Sequence, residues 1–279
     1  MIVAENIALV RGRKTLFSEA SFRFDRPEFV AIIGPNGAGK SSLLQLLSGA
    51  YAPSKGSVSI HGKPTGSWKT EELAKYRAYL QQQQSVFESF TVEDVLMMGR
   101  SIHFGTGPKQ DDRSLVVQTL EKLDLTARRE QPFNFLSGGE QQRVQFARTL
   151  LQLQETADSS LEGKVLFLDE PLNNLDLYYQ YNLLQMARTD VVDKGGIVIA
   201  VLHDLNMAWR YADRVIILSE GRTIMDAPAQ EALRADVLSV VYRMNIEKIE
   251  PSNQSPYFAV TGVPASGMHL YADKAAIRH

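Results

Sequence analysis

Residues 34–41 read GPNGAGKS between an apolar run and a helical run, and no other stretch limits the folds open to this chain so sharply. Residues 29–33 (FVAII) have the unbroken apolarity of a buried strand, and residues 42–48 (SLLQLLS) have helical spacing that Gly49 stops. A turn of the form G-x-x-x-x-G-K-S in that setting is a phosphate loop. Gly34, Gly37 and Gly39 carry no Cβ, so successive backbone N–H groups can converge on a polyphosphate at the positive end of a helix. Lys40 is expected to reach the β- and γ-phosphates, and the Ser41 hydroxyl to hold Mg²⁺.

With 279 residues, 44% of them hydrophobic, the chain is long enough for one large α/β domain or two small ones. Thirty basic residues against 32 acidic ones give a formal charge of −2, which removes the main electrostatic argument for nucleic acid as ligand. Arg11, Arg13 and Lys14 read as a solvated turn. The absence of cysteine excludes disulfides and thiolate metal sites and fits a cytosolic chain. The opening MIVAENIALV carries Glu5 and no basic region, so it reads as a strand, not an export signal. The longest apolar run, residues 197–202, is far short of the roughly 18 residues that span a bilayer, so a membrane role must come through a partner.

In chain order, residues 1–24 alternate as two antiparallel strands joined at Gly12, and SVSI (57–60) reads as a third. They form a small β layer beside the phosphate loop, able to present an aromatic to adenine. After the turn-rich HGKPTG (61–66), a charged helical stretch runs to about Lys75, and RAYL (77–80) is a short strand leading into Gln81, Gln82, Gln83 and Gln84. TVEDVLMMGR (91–100) reads as a helix with Thr91 as N-cap and Asp94 three residues on. Residues 105–112 read as a loop, followed by an amphipathic helix from Ser114 to about Leu123. These segments are expected to form an α-helical subdomain inserted between strands of the main sheet.

LSGGEQQR (136–143) is the second chemical stretch. Ser137 and Glu140 have capping-box spacing, and the two glycines leave backbone N–H groups open at a positive dipole end. Taken alone this is an N-cap; beside a phosphate loop it is a second anion site without a ligand. Residues 152–164 read as a polar surface loop. VLFL (165–168) is a buried strand ending in Asp169 and Glu170, two carboxylates that are costly there without partners or work. With a phosphate loop upstream, Asp169 is the Mg²⁺-side carboxylate and Glu170 the base for a water. NNLD (173–176) caps a helix over residues 177–187, whose tyrosines Tyr178, Tyr179 and Tyr181 read as packing. IVIAVL (197–202) is a parallel strand that delivers His203 to the edge that carries Asp169, while His61, His103, His269 and His279 read as surface residues. Residues 214–218 and 222–225 form a hairpin through Glu220 and Gly221. The tail holds one helix (231–244) and a β-like stretch (257–260), and residues 267–279 carry no strong signal.

GPNGAGKS, LSGGEQQR, VLFLDE, NNLD and VLHD, in this order and spacing, resemble the ATP-binding subunits of ABC transporters over nearly the whole chain to about residue 250. The resemblance implies a P-loop NTPase core with a mostly parallel sheet (about 1–80 and 160–250, with the antiparallel β layer). It also implies a helical subdomain (about 83–155) and a C-terminal extension (about 230–279). It implies a head-to-tail homodimer with two ATP molecules between the copies. In that carry-over Gly34, Pro35, Asn36, Gly37, Ala38, Gly39, Lys40, Ser41 and Ser42 bind phosphate and Mg²⁺. Ser137, Gly138 and Gly139 complete the site from the other copy. Gln82 is the Q-loop residue that senses the metal, Asp169 supports Mg²⁺, and Glu170 is the general base. Asp176 belongs to a loop that touches the second copy, and His203 is the switch histidine. Hydrolysis would remove the charge that holds the dimer closed. Four positions depart from the family pattern. Arg11 stands where an aromatic usually stacks on adenine, Gln81 where a proline precedes Gln82, and Asn173 and Asn174 where the loop commonly reads S-A-L-D.

FTVEDVLMMGR, LSGGEQQRVQFARTLLQL, the loop before VLFLDE and DLNMAWRYADRVIIL most resemble iron-chelate and cobalamin-type importers, the haem importers most of all. That implies a subunit peripheral to the cytoplasmic face of the inner membrane, docked through residues 82–91 on permease subunits and working indirectly with a periplasmic or extracellular binding protein. The alternatives are the ATPase of a ferric-siderophore or cobalamin importer, an exporter subunit, or a soluble ABC ATPase acting on DNA or ribosomes. The last would carry a long coiled coil, zinc cysteines, a second fused ATPase domain or a basic face, none of which is in this sequence.

Overall fold

The computed structural model describes residues 1–12, 14–81, 90–104, 107, 109–252 and 255–263. The alternating N-terminal pattern forms β1 (Ile2–Arg11) and β2 (Lys14–Phe24), antiparallel across the Gly12 turn. The apolar run forms β3 (Glu28–Ile33), buried at every residue, which leads through the phosphate loop into α1 (Lys40–Leu47). β4 (Lys55–Ile60) returns to pair with β1, and β5 (Lys63–Pro64) pairs with β4, giving a four-stranded antiparallel layer. Of the charged stretch before Lys75 only α2 (Thr70–Leu73) is helical, because the chain must straighten to form β6 (Arg77–Leu80) beside a core strand.

Among the described residues, three α-helices lie between β6 and the next core strand. α3 (Val92–Arg100) starts at the expected capping box, with the Asp94 N–H donating to Thr91 Oγ1 at 3.2 Å. α4 (Gln110–Lys122) begins four residues before the expected Ser114. The reason is Asp112, a buried carboxylate that accepts the Lys109 N–H at 2.8 Å and pairs with Arg100 at 2.8 Å, so the first turn is anchored from inside. α5 (Gly138–Leu153) packs against α3. Residues 152–164 are the expected surface loop only in part: Glu155, Thr156, Asp158, Ser160 and Glu162 are exposed, but both ends of the segment turn inward. Gln154, Leu161 and Lys164 are buried, the Lys164 ammonium donates to Leu153 O at 2.9 Å, and the Arg100 guanidinium gathers the carbonyls of Leu151, Gln154 and Glu155. A cation that satisfies several carbonyls can hold an irregular segment inside, and sequence polarity cannot show that. His103 is likewise half-buried, against Gln152 O, not at the surface.

The rest of the sheet follows: β7 (Val165–Asp169), α6 (Leu177–Ala187), β8 (Ile197–Val201), α7 (Leu205–Tyr211), β9 (Arg214–Ser219) and β10 (Arg222–Pro228). The six strands run in the order β10-β9-β3-β8-β7-β6, all parallel except β10. Side chains alternate across it. Phe29, Ala31 and Ile33 of β3 face one core with the helices α3 to α7, while Val30 and Ile32 face a second core with α1 and the β layer. Burying the four large side chains of β3 contributes on the order of 10 kcal/mol gross, which explains its unbroken apolarity. Register sets the functional edge: Ile32 and Asp169 both stand opposite Val201, so the chain leaves β3, β7 and β8 at one level. The single tail helix expected over residues 231–244 is two, α8 (Ala229–Ala232) and α9 (Ala235–Tyr242), because buried Leu233 breaks the helical path as α8 turns back onto the β9-β10 hairpin. β11 (Asn245–Ile249), which no periodic pattern in the sequence marks, pairs with β12 (Tyr257–Gly262).

Candidate active site

Parallel strands place their following loops at their carboxyl edge, where ligands bind in open α/β sheets. Here the phosphate loop follows β3, Asp169 and Glu170 close β7, and His203 follows β8, with Asp204 fixing the turn by capping α7 through the N–H groups of Asn206 and Met207. An open cleft of about 950 Å³ lies at this edge, within the range that holds a nucleotide-sized ligand. Asn36, Gly37, Gly39, Lys40, Ser41, Ser42, Glu170 and His203 line it.

The loop is built for an anion. No side chain caps α1, so its first N–H groups are left for a ligand at the positive end of the dipole. Lys40 is almost fully buried, and its ammonium donates to Gly34 O at 2.8 Å and Pro35 O at 3.0 Å. Burial pulls its pKa below the ordinary lysine value, against the opposing pull of Glu170 and Asp169. Pro35 and Ala38 stand behind the cleft, where the Ala38 N–H closes on Pro35 O and Ala38 packs into the core.

Asp169 is 3% exposed, yet both of its oxygens are engaged. Ser41 Oγ donates to Oδ1 at 2.8 Å, and Tyr79 Oη donates to Oδ2 at 3.1 Å. Burial raises the Asp169 pKa despite those bonds, and raises that of Tyr79 as well. Hydroxyl and carboxylate oxygens side by side suit a hard divalent cation. Among the described residues no group of three or more His, Cys, Asp or Glu could hold a metal by itself, so phosphate oxygens would have to complete the shell.

Glu170 has φ +51°, a conformation that costs a non-glycine residue roughly 1–3 kcal/mol and is concentrated at functional sites. It turns the carboxylate back over the cleft, where His203 Nε2 lies 2.8 Å from Oε1 and Asn173 Nδ2 donates to Oε2 at 2.9 Å. Burial works to raise the Glu170 pKa, but the hydrogen bonds from His203 and Asn173 outweigh it and hold the group below the usual carboxylate range. A carboxylate ionised at neutral pH and oriented over an anion loop can accept a proton from a water.

The other sequence candidates stand apart. Ser137 forms the expected reciprocal box with Glu140, but neither it nor Gly138, Gly139 or Asp176 lines the cleft. The start of α5 packs instead against residues 171–179: a Cβ on Gly139 would lie 2.8 Å from Asn174 O, the Gln142 amide donates to Pro171 O, and Arg143 lies 3.7 Å over the Tyr179 ring. Asp176 caps α6 by accepting the Tyr179 N–H at 3.1 Å. Gln82 lies outside the described residues. Arg11 lies 4.5 Å over the Tyr51 ring. Thr15, Leu16, Asn173, Glu220 and Gly221 line the cleft without having been singled out for it. Asn173 had a signal in its place just after the Asp-Glu pair; Tyr79 and the Glu220-Gly221 turn had none.

This sheet, loop and carboxylate arrangement defines a P-loop nucleotide-binding protein. The family model described as "ABC transporter" matches residues 17–173, and the chain belongs to that family. It is 40% identical over 257 residues to the hemin import ATP-binding protein HmuV of Escherichia coli O157:H7, covering 92% of this chain and 98% of that one. It is 42% identical over 239 residues to the protein of the same name from Rhodopseudomonas palustris (strain BisB18), covering 86% and 87%. Its fold is similar to a chain of a metal-chelate type ABC transporter solved in an inward-facing conformation, with TM-score 0.74, 23% identity and coverage of 93% and 96%.

Proposed function

We propose that this protein is the ATP-hydrolysing subunit of an importer, powering haem uptake through a membrane permease dimer. The observation that carries the ATPase is the convergence on one cleft of an uncapped helix N-terminus, buried Lys40, the Ser41–Asp169 pair and Glu170 held by His203. Haem is favoured by the 40% identity across 92% of the chain to a hemin import ATP-binding protein.

In this reading the amides of residues 37–42 and the Lys40 ammonium bind the β- and γ-phosphates. Ser41 and Asp169 would hold Mg²⁺, with Gln82 as the further ligand that the family resemblance implies, and the ion would supply charge neutralisation at the phosphates. Glu170 accepts the proton of the attacking water, and His203 and Asn173 fix the direction of its oxygens. Ser137 and Gly139 sit away from the cleft of their own chain, which fits a site completed by a second copy, with Asp176 near the seam. Among the described residues no helix is long and apolar enough to cross a membrane, so attachment would be peripheral, at the cytoplasmic face, through permease subunits that receive substrate from a binding protein. The division into core with β layer, helical subdomain and C-terminal extension belongs to the same proposal.

The test is reconstitution with its permease subunits, in vesicles that present haem, a ferric siderophore or cobalamin with the matching binding protein. ATP-driven uptake of haem alone is the expected result. Uptake of one of the other chelates would overturn the haem assignment, and an absence of ATP hydrolysis in the complete assembly would overturn the whole reading.

A further inference from the structure

The phosphate loop is tied to the last helix of the described chain. The Gly34 N–H donates to Tyr242 Oη at 3.0 Å across 208 residues of sequence, and Gly34 O accepts the Lys40 ammonium at 2.8 Å. The two peptides that meet at Gly34 are thus each held, one through its N–H and one through its carbonyl, and the first of them by a residue outside the stretch that the family model matches. We propose that Tyr242 is a positioning residue of the nucleotide site, fixing Gly34 so that the loop and Lys40 are set for phosphate before nucleotide arrives. The inference rests on the ATPase reading above.

The backbone at Gly34 needs such a restraint. Its φ is +146°, and a Cβ there would lie 2.1 Å from Leu218 O, so only glycine fits and only glycine's wide conformational freedom is available. With two of its three N–H groups on Gly34 O and Pro35 O, the Lys40 ammonium has one left for phosphate, and it holds only the peptide on the carbonyl side of Gly34. Tyr242 is the side chain that restrains the peptide on the N–H side. Its own position is determined on both sides. Ser239 Oγ accepts the Ile246 N–H at 3.0 Å and ties α9 to β11, while Arg243, in a left-handed conformation at φ +57°, ends α9 and pairs with Glu220 of the cleft wall at 3.1 Å. A loop ordered in advance does not have to be ordered by its ligand, so the restraint adds to affinity without touching nucleotide.

The experiment compares the full-length parent with Tyr242→Phe, which keeps the ring packing and deletes the hydroxyl. ATP affinity is measured by equilibrium titration, turnover by phosphate release, and the loop by deuterium exchange of residues 34–40. The expected variant binds ATP roughly 5- to 10-fold more weakly, the scale of one hydrogen bond, with kcat at saturating ATP within about twofold of the parent. Its loop amides exchange faster without nucleotide and regain the parent's rate with it. Parent-like affinity and exchange, with a lower melting temperature alone, would show that Tyr242 only braces α9 and would overturn the proposal. Should the variant not fold, fast exchange of the Gly34 amide in the nucleotide-free parent would overturn it, and protection there would support it. A parent that binds no ATP would bring down the ATPase reading and this inference together, which differs visibly from a parent that binds and a variant that binds equally.

Discussion

Replacing Glu170 with Gln is the sharpest perturbation of the proposed chemistry. The substitution is nearly isosteric, and its amide carbonyl can still accept from Asn173 Nδ2, which stands 2.9 Å from the present carboxylate. The strained backbone at φ +51° is no worse for Gln than for Glu. Position is therefore kept, and what is lost is the negative charge and the proton-accepting oxygen opposite His203 at 2.8 Å. A positioned general base contributes roughly 10²–10⁴ in rate. The barrier should rise by at least about 2.7 kcal/mol. Phosphate release should fall by that factor while ATP binding is retained, and ATP should accumulate in a closed dimer that light scattering detects as a doubling of mass. Hydrolysis at the parent's rate would refute the assignment of Glu170. Tight ATP binding by a species that stays monomeric would refute the claim that nucleotide alone closes the two copies.

Lys40→Ala removes a buried ammonium from the loop and should weaken ATP binding roughly 10- to 100-fold, the worth of one charge-assisted hydrogen bond. Calorimetric titration checks it, and a variant that binds as tightly as the parent would sink the phosphate-loop role. Asp112→Asn breaks a buried pair with Arg100 and should cost about 3–5 kcal/mol of stability in denaturant titrations at pH 7. Burial alone would raise the Asp112 pKa, but the Lys109 N–H and Arg100 bonds win and hold it below the ordinary value. Its contribution is therefore fully present above the unfolded pKa of about 4 and is lost as pH falls through the lower folded value. The gap between parent and variant should close on acidification; a gap constant down to about pH 2 would refute the pairing.

Much of the site was legible because phosphate chemistry constrains local sequence. A loop of converging amides demands Gly34, Gly37 and Gly39 between a strand and a helix, and the run of apolar residues before each of Gly34, Asp169 and His203 announces parallel strands with functional ends. Capping boxes at Thr91 and Ser137 were legible for a similar reason, since both partners lie within one helical turn. The errors lie where the deciding contact is distant. Within the largely exposed residues 155–163 the polarity reads correctly, but the buried ends of the 152–164 segment depend on Arg100 and Lys164 as partners for carbonyls, and β11 is not marked in the sequence because five mixed residues become a strand only opposite β12.

By itself, the amino-acid sequence determined the class of fold, the phosphate loop, the two carboxylates after β7 and the histidine after β8, because each is written in a contiguous run whose periodicity or turn chemistry is local. The tertiary structure alone decided which oxygen meets which donor. It set Tyr79 and Ser41 on the two sides of Asp169, Asn173 and His203 on the two sides of Glu170, and Tyr242 beneath Gly34, and it kept Ser137 and Gly139 out of their own chain's cleft. The physical reason is range. Backbone propensity and capping act within a few residues, whereas a hydrogen bond between positions 34 and 242 exists only once the sheet order has brought α9 under the loop.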